Sequence, residues 1–506
     1  MVSAELRRLR SLLGLGLGLS ALTLVAAAAA EPLPAGIVGA MRENKLPEAD
    51  ASLYALKLGE QTPRLTLNAA QPRLPASVIK LLTTAAALDV LGPTFTFTTE
   101  AYVTGTLTKG RLSGDLVIKG YGNPELSIKD LWGLLDALRR RGVDTVAGDI
   151  VLDPGYFSPL PDGRGDFDGK GTSAYNALPQ GLSVNQQVTA VHMEVTPGQG
   201  IHVYTDPPLA NVELRNELKL VSAACQRKHH RPTVTVFQEE GQEVVRLSGP
   251  FAAECREDHS DLLILDPMHH AVGAVQALWA EVGGKLEGKV RVGSAGTGAV
   301  LLREAHSRRL GEMLRDINKP SNNLMTRTLL LTLGAKRLGA PGTEAKGQAA
   351  VRDWLAEAGL DFPELNLSNG SGLSRDASIS AESLGRLLAH MYRRPTMPEY
   401  LASLAVVGVD GTMWRRLRGS PVKGRGHIKT GTVKGASGIA GYILDRNGER
   451  WVVVALMDGR TLNTWSAHAV QDALMTWAYQ GGGAAAVAEG VPAKQGDGSD
   501  LARRGH

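Results

Sequence analysis

From Pro75 to Gly92 the chain reads "PASVIKLLTTAAALDVLG". Val78, Leu81, Leu82, Ala85 and Leu88 recur at helical spacing, and Gly92-Pro93 stops the element. Just before it, "ASLYALKLGEQTPRLTLNAA" reads as two strands around a Gly-Glu-Gln-Thr-Pro turn. From about Phe95 to Glu304 the texture changes to short β-rich runs such as "GDLVIKG" and "PTVTVFQ", divided by Gly, Pro, Asp and Asn turns. That is a mostly β insertion in two parts. Helical periodicity returns in "SRRLGEMLRDINKPSNNLMTRTLLLTLGAKRLG", two helices broken at Lys319-Pro320, and in two later amphipathic runs. After Gly426 the chain predicts three strands, the last two joined around Asn447-Gly448, and a closing helix. Two N-terminal and three C-terminal strands with helices between them make an α+β chain with one five-stranded antiparallel sheet.

The domain boundaries follow this texture. Residues 31–98 and 300–480 form the main unit, 99–155 with 262–299 an inserted β-rich part, and 156–261 a second one inside it. Residues 1–30 carry Arg7, Arg8 and Arg10, then an apolar run ending in small residues, the pattern of a cleaved export signal. A retained anchor, for which the run is of borderline length, and a dinucleotide loop at "GLGLGLS", which no strand precedes, are the weaker readings. Residues 481–506 read as a disordered Gly/Ala-rich tail.

With 506 residues and a formal charge of +4, the chain gives no argument for nucleic-acid binding. Its densest basic stretch, "WRRLRGSPVKGRGHIK", lacks interleaved aromatics and reads as solvated or substrate-facing surface. Cys225 and Cys255 are the two cysteines, and export to an oxidising compartment predicts one disulfide between them. There is no CxxC or HExxH, and the His229-His230 and His269-His270 pairs point their side chains apart, so no metal site is expected.

Three short motifs carry candidate chemistry. Ser77-x-x-Lys80 opens a helix, where Ser77 could serve merely as a first-turn cap. Ser321-Asn322-Asn323 opens another helix, and Lys429-Thr430-Gly431 lies in a strand. Second matches at Ser420–Lys423 and Ser183–Asn185 lie outside such elements and are set aside. In this order and on these element types, the set is the signature of penicillin-binding proteins and serine β-lactamases.

The residue types suit the chemistry. A serine needs a base, and Lys80 serves only with a depressed pKa, which Lys429 nearby would favour. Ser321 can relay a proton to a leaving amine, while Asn323 can hold the substrate amide and the Lys80 amine. Lys429 with the hydroxyls of Thr430 and Thr432 offers a seat for a terminal carboxylate. Gly431 clears bulk so that substrate can lie along the strand edge. The N–H groups of Ser77 and Thr432 can form an oxyanion hole.

The chain resembles the penicillin-binding protein 4 family of D-alanyl-D-alanine carboxypeptidases/endopeptidases over nearly all of its length after the export signal. Ser77 and Ser321 stand 244 residues apart (321 − 77), which implies that family's large insertion. "GYGNPELS", "GDIVLDPGYF", "NGSGLSR" and "VDGTM" resemble its motifs. The resemblance implies a β-lactamase/transpeptidase-like fold, a periplasmic or cell-wall enzyme acting on peptidoglycan stem peptides, acylation of Ser77 by β-lactams, and no cofactor. It also implies that Arg375 lies near the diaminopimelate side of the substrate. Asn369 and Gly120-Tyr121-Gly122-Asn123 depart from the usual Asp and Gly-Gly-Gly-Asp.

The rival readings are a β-lactamase-like hydrolase, an esterase or amidase of the same fold, and a non-catalytic peptidoglycan-binding or β-lactam-sensing protein. The β-lactamase needs a deacylating Glu, and Glu125, Glu194, Glu213 and Glu217 all fall in the insertion. Oligomeric state is left open.

Overall fold

The computed structural model describes residues 32–483 except 197, 199 and 226–231. The expected export signal, His229-His230 and nearly all of the C-terminal tail lie outside these residues.

Strand Ala51–Lys57 sits between Leu65–Leu67 and Arg450–Asp458, so the two chain ends share one sheet. The order continues through Ala436–Leu444 and Gly426–Val433, antiparallel throughout. A sixth member, the two-residue strand Ala405–Val406, adds to the five expected. Its two residues pair with His427 and Ile428 only, which leaves the far end of Gly426–Val433 an open edge. The hairpin turn falls where Asn447-Gly448 places it, with Gly448 in the left-handed region.

Both faces of this sheet are covered, which explains why "WVVVALM" reads as a continuous apolar run instead of an alternating one. Leu53, Ala55, Val453 and Ala455 face helices Ala35–Glu43 and Thr464–Tyr479. Tyr54, Leu56, Val452 and Val454 face the other side, where helices Lys80–Leu91, Asn323–Leu338 and Ala381–Tyr392 pack. The Lys80–Leu91 helix is buried from Lys80 through Leu88 and ends at Gly92, whose φ of +83° a side chain would disfavour.

Between these halves, strand Thr98–Val103 leaves and Val300–His306 returns, antiparallel to each other. They belong to a five-stranded sheet with Leu116–Gly120, Ile150–Asp153 and Val290–Val292. Two three-stranded sheets lie deeper in the insertion, and the Cys225–Cys255 disulfide forms there. Among the described residues the insertion also holds two α-helices, Ile128–Arg140 and Pro267–Glu281, in the region expected to be mostly β. The first begins at a Ser127/Asp130 capping box and buries Leu131, Leu134, Leu135 and Leu138 on one face. Among the described residues no helix is long and apolar enough to cross a membrane, and no cluster of three or more His, Cys, Asp or Glu could hold a metal.

Candidate active site

Ser77 lies in a short 3-10 turn, Ala76–Ile79, that runs into helix Lys80–Leu91. Pro75 caps that turn and Ile79 the helix that follows, so Ser77 is the N-cap of neither. Its Oγ instead lies 3.0 Å from Lys80 Nζ. The preceding residue, Ala76, is held at φ +46°, and Ser321 is held at φ +67°. Strained left-handed residues thus sit beside or at both motif serines, which packing around them must enforce.

Lys80 is fully buried and its amine has three neighbours. It donates to Asn323 Oδ1 at 2.6 Å and to the Ser371 carbonyl at 2.5 Å, and faces Ser77. A carbonyl oxygen only accepts, so both of those contacts consume N–H groups. A neutral amine has two, and its lone pair is then left facing the Ser77 hydroxyl. Burial, and secondarily the charge of Lys429, push the Lys80 pKa well below its ordinary value. The Asn323 amide is fixed at its other end, where Nδ2 donates to the Tyr175 carbonyl at 3.0 Å. That second contact is made to the insertion, where an approach to substrate amide was expected.

Ser321 is two residues before the helix start, with Asn322 as the N-cap accepting from Met325 N. Its Oγ accepts from Lys429 Nζ at 2.9 Å, and Lys429 also donates to the Thr430 carbonyl at 2.8 Å. Burial lowers the Lys429 pKa to about 7. The Ser77–Lys80 pair and the Ser321–Lys429 pair are thereby two hydrogen-bonded units, coupled by the charge of Lys429 acting on Lys80.

Strand Gly426–Val433 supplies the open edge. The Gly426 carbonyl accepts from Val407 N on the outer side, and a strand's backbone groups alternate with period two. The backbone groups of Thr430 and Thr432 therefore point to that same, unpaired side. Ser77 N, in the first turn, has no acceptor among the described residues. Gly431 has a different reason from the one expected. A Cβ there would lie 2.7 Å from Pro75 O and from Ser77 N, so its missing side chain lets the strand touch the nucleophile turn. Thr430 differs too: its hydroxyl donates to Thr412 Oγ1 at 2.7 Å, on the strand face opposite Lys429. Thr432 is exposed at the edge.

Arg375 is exposed and donates to the Lys434 carbonyl at 2.8 Å, with its guanidinium 4.7 Å from the Phe167 ring centre. Of the insertion glutamates, Glu125 pairs with Arg308, Glu194 accepts from Tyr204, Glu213 pairs with Arg215, and Glu217 lies by Arg246. The set-aside Ser420–Lys423 match is a non-helical turn. Ser183–Asn185 is not catalytic in position, yet its neighbour Gln186 accepts from Asn322 Nδ2 at 2.7 Å.

Two contributors escaped sequence reading because they act through main-chain carbonyls, Ser371 on Lys80 and Tyr175 on Asn323. The "NGSGLSR" stretch offered the only hint. Asn369 Oδ1 accepts from Ser371 N and Oγ there, shaping the turn that aims the Ser371 carbonyl.

A hydroxyl facing a buried amine, beside a second buried amine on an open strand edge, is an arrangement that could support acyl transfer through a serine. The chain belongs to the D-Ala-D-Ala carboxypeptidase 3 (S13) family, whose profile matches residues 35–480. It is 30% identical over 393 residues to a D-alanyl-D-alanine carboxypeptidase of Actinomadura sp. (strain R39), covering 74% of this chain and 72% of that one. It is 24% identical over 419 residues to the D-alanyl-D-alanine carboxypeptidase DacB of Haemophilus influenzae, covering 82% and 87%. The crystal structure of penicillin-binding protein 4 from Haemophilus influenzae shares the fold, with a TM-score of 0.72 and 23% identity over 88% of this chain and 99% of that one. A second structure of that protein, complexed with a β-lactam, gives 0.69 at 22% identity over 88% and 98%. The activity of this chain is that of a serine D-alanyl-D-alanine carboxypeptidase.

Proposed function

We propose that the chain removes the terminal D-Ala of peptidoglycan stem peptides through an acyl-enzyme on Ser77. Ser77 Oγ attacks the carbonyl of the penultimate D-Ala and its proton passes to the Lys80 lone pair. The N–H groups of Ser77 and Thr432 receive the developing oxyanion. Ser321 relays to the departing amine the proton that Lys80 took from Ser77, and the C–N bond breaks to release D-Ala. Protonated Lys429 and the Thr432 hydroxyl receive the terminal carboxylate. Water then hydrolyses the ester.

The observation that carries this reading is the Lys80 amine, 3.0 Å from Ser77 Oγ, which gives N–H groups to two carbonyl oxygens and so, once neutral, has its lone pair for Ser77. The same residues would cut a D-Ala–diaminopimelate crosslink, and Arg375 is the proposed contact on that side. Covalent β-lactam inhibition at Ser77 is proposed on the same chemistry, supported by the β-lactam complex of the Haemophilus protein. A periplasmic location follows from the proposed cleavage of residues 1–30. Release of D-Ala from a pentapeptide ending in D-Ala-D-Ala tests the assignment. The full chain is expected to release one D-Ala per peptide and Ser77→Ala none; equal release by both would refute it.

A further inference from the structure

The link between strands Ile150–Asp153 and Thr189–Thr196 crosses helix Asn323–Leu338 along one face. Tyr156 and Phe157 pack on Leu331 and Ala335, and Asp162 pairs with Arg327 at 2.8 Å. The Tyr175 carbonyl then accepts from Asn323 Nδ2. Positions 335, 331, 327 and 323 are four apart, so they form a single stripe on the helix. The segment follows that stripe toward the helix start and ends on the asparagine that touches Lys80.

Its last turn is tied down by one carboxylate. Asp168 Oδ1 accepts from Asn176 Nδ2 at 3.0 Å and from Lys170 N at 3.1 Å, while Oδ2 accepts from the Tyr175 hydroxyl at 2.6 Å. Asn176 Nδ2 also reaches the Lys170 carbonyl at 3.0 Å. Asp168 itself is exposed, and the hydrogen bond from Tyr175 holds its carboxyl below the usual carboxylate range.

We infer that Asp168 and Asn176 are positioning residues for the general base: they hold the Tyr175 carbonyl where it dictates which end of the Asn323 amide faces Lys80. The two ends are not equivalent. With Oδ1 toward Lys80, the amine gives an N–H and keeps its lone pair for Ser77. With the amide reversed, Nδ2 would donate into that lone pair and Oδ1 would confront the Tyr175 carbonyl, acceptor against acceptor. Releasing the turn removes that clash and so makes the reversal easier. This rests on the reading of Ser77 as nucleophile and Lys80 as base.

The test is the rate of acylation by a fluorescent penicillin from pH 5 to 10, with labelling stoichiometry and Tm, on the full chain. Wild type is compared with Asp168→Ala, Asn176→Ala and Asp168→Asn. Both alanine variants are expected to acylate at least tenfold more slowly at the pH of their fastest reaction, still at about one label per chain. Asp168→Asn keeps an acceptor for Asn176 and Lys170 and is expected within about threefold of wild type. Alanine variants within twofold of wild type would overturn the inference. So would lost stoichiometry at an unchanged rate, or an Asp168→Asn defect as deep as that of Asp168→Ala. Failure of wild type to be labelled would instead overturn the underlying functional reading.

Discussion

Lys80 Nζ and Asn323 Oδ1 lie 2.6 Å apart although 243 residues separate them in sequence. That contact joins the helix that follows Ser77 to the helix that follows Ser321. It makes the proposed base a property of two chain segments, and it sets what each substitution should do.

Removing the amine should stop chemistry without harming the fold. Lys80→Met is expected to slow penicillin acylation by about 10²–10⁴-fold, the range of a positioned general base. Tm should stay level or rise, because a buried amine is replaced by an apolar side chain of similar length. A rate within tenfold of wild type would remove Lys80 from its assigned role.

The pH profile should depend on the ligand. Burial, with help from Lys429, depresses the Lys80 pKa, so acylation rises with pH as Lys80 loses its proton. Lys429 has a free-enzyme pKa of about 7, above which it loses the charge that receives a carboxylate. For substrates ending in a free carboxylate, kcat/KM is expected to fall on the alkaline side. An acylating agent without that carboxylate should keep its alkaline plateau. Parallel profiles for the two would contradict the seat assigned to Lys429.

Stability carries the same signature with a definite sign. The Lys429 pKa is lower folded than unfolded, so between about 7 and the ordinary lysine value the unfolded chain binds more protons. Its destabilising effect is complete below about pH 7 and fades as pH rises through that window. Lys429→Met is expected to raise Tm by a few degrees at pH 6 and by less at pH 10, as followed by calorimetry, with carboxypeptidase activity lost.

Gly372 is a second place where backbone geometry commands the residue. It sits at φ +78°, and a Cβ there would lie 1.9 Å from Ala76 O, against the turn that holds Ser77. Gly372→Ala is expected to cost about 2 kcal/mol or more, from the left-handed backbone and the clash together. Acylation should fall at least tenfold. Denaturant unfolding and penicillin labelling check the two effects separately.

The disulfide should matter little to catalysis. Cys225 and Cys255 close a loop among the inner sheets of the insertion, and neither touches a motif residue. Cys225→Ser with Cys255→Ser is expected to leave the acylation rate within twofold while lowering insertion stability by about 2–4 kcal/mol. Limited proteolysis would show the second effect.

The sheet, the helices that cover it and the three motifs were readable because their signals are side-chain patterns. Apolar periodicity marks Val78–Leu88, and hydroxyl and amine side chains mark Ser77, Lys80, Ser321 and Lys429. The helix Ile128–Arg140 was missed despite its Ser127-Asp130 box and leucine stripe, because the surrounding β runs dominated the window. The carbonyls of Ser371 and Tyr175 were not readable at all, since every residue has one and only the folded chain aims it. Thr430 and Gly431 were assigned to the right element, but their contacts within the protein were not foreseen. A strand's period says which residues share a face, yet it does not say that Thr412 and the Ser77 turn lie opposite them.

The most direct measurement is peptide mass mapping of the full chain after incubation with penicillin, followed over time and compared with Ser77→Ala. The expected result is one long-lived acyl group on the peptide containing Ser77 and none on the variant. An adduct elsewhere, or no adduct on folded protein, would contradict the assignment of Ser77 as the nucleophile. Rapid loss of the adduct would point to a β-lactamase instead of a carboxypeptidase.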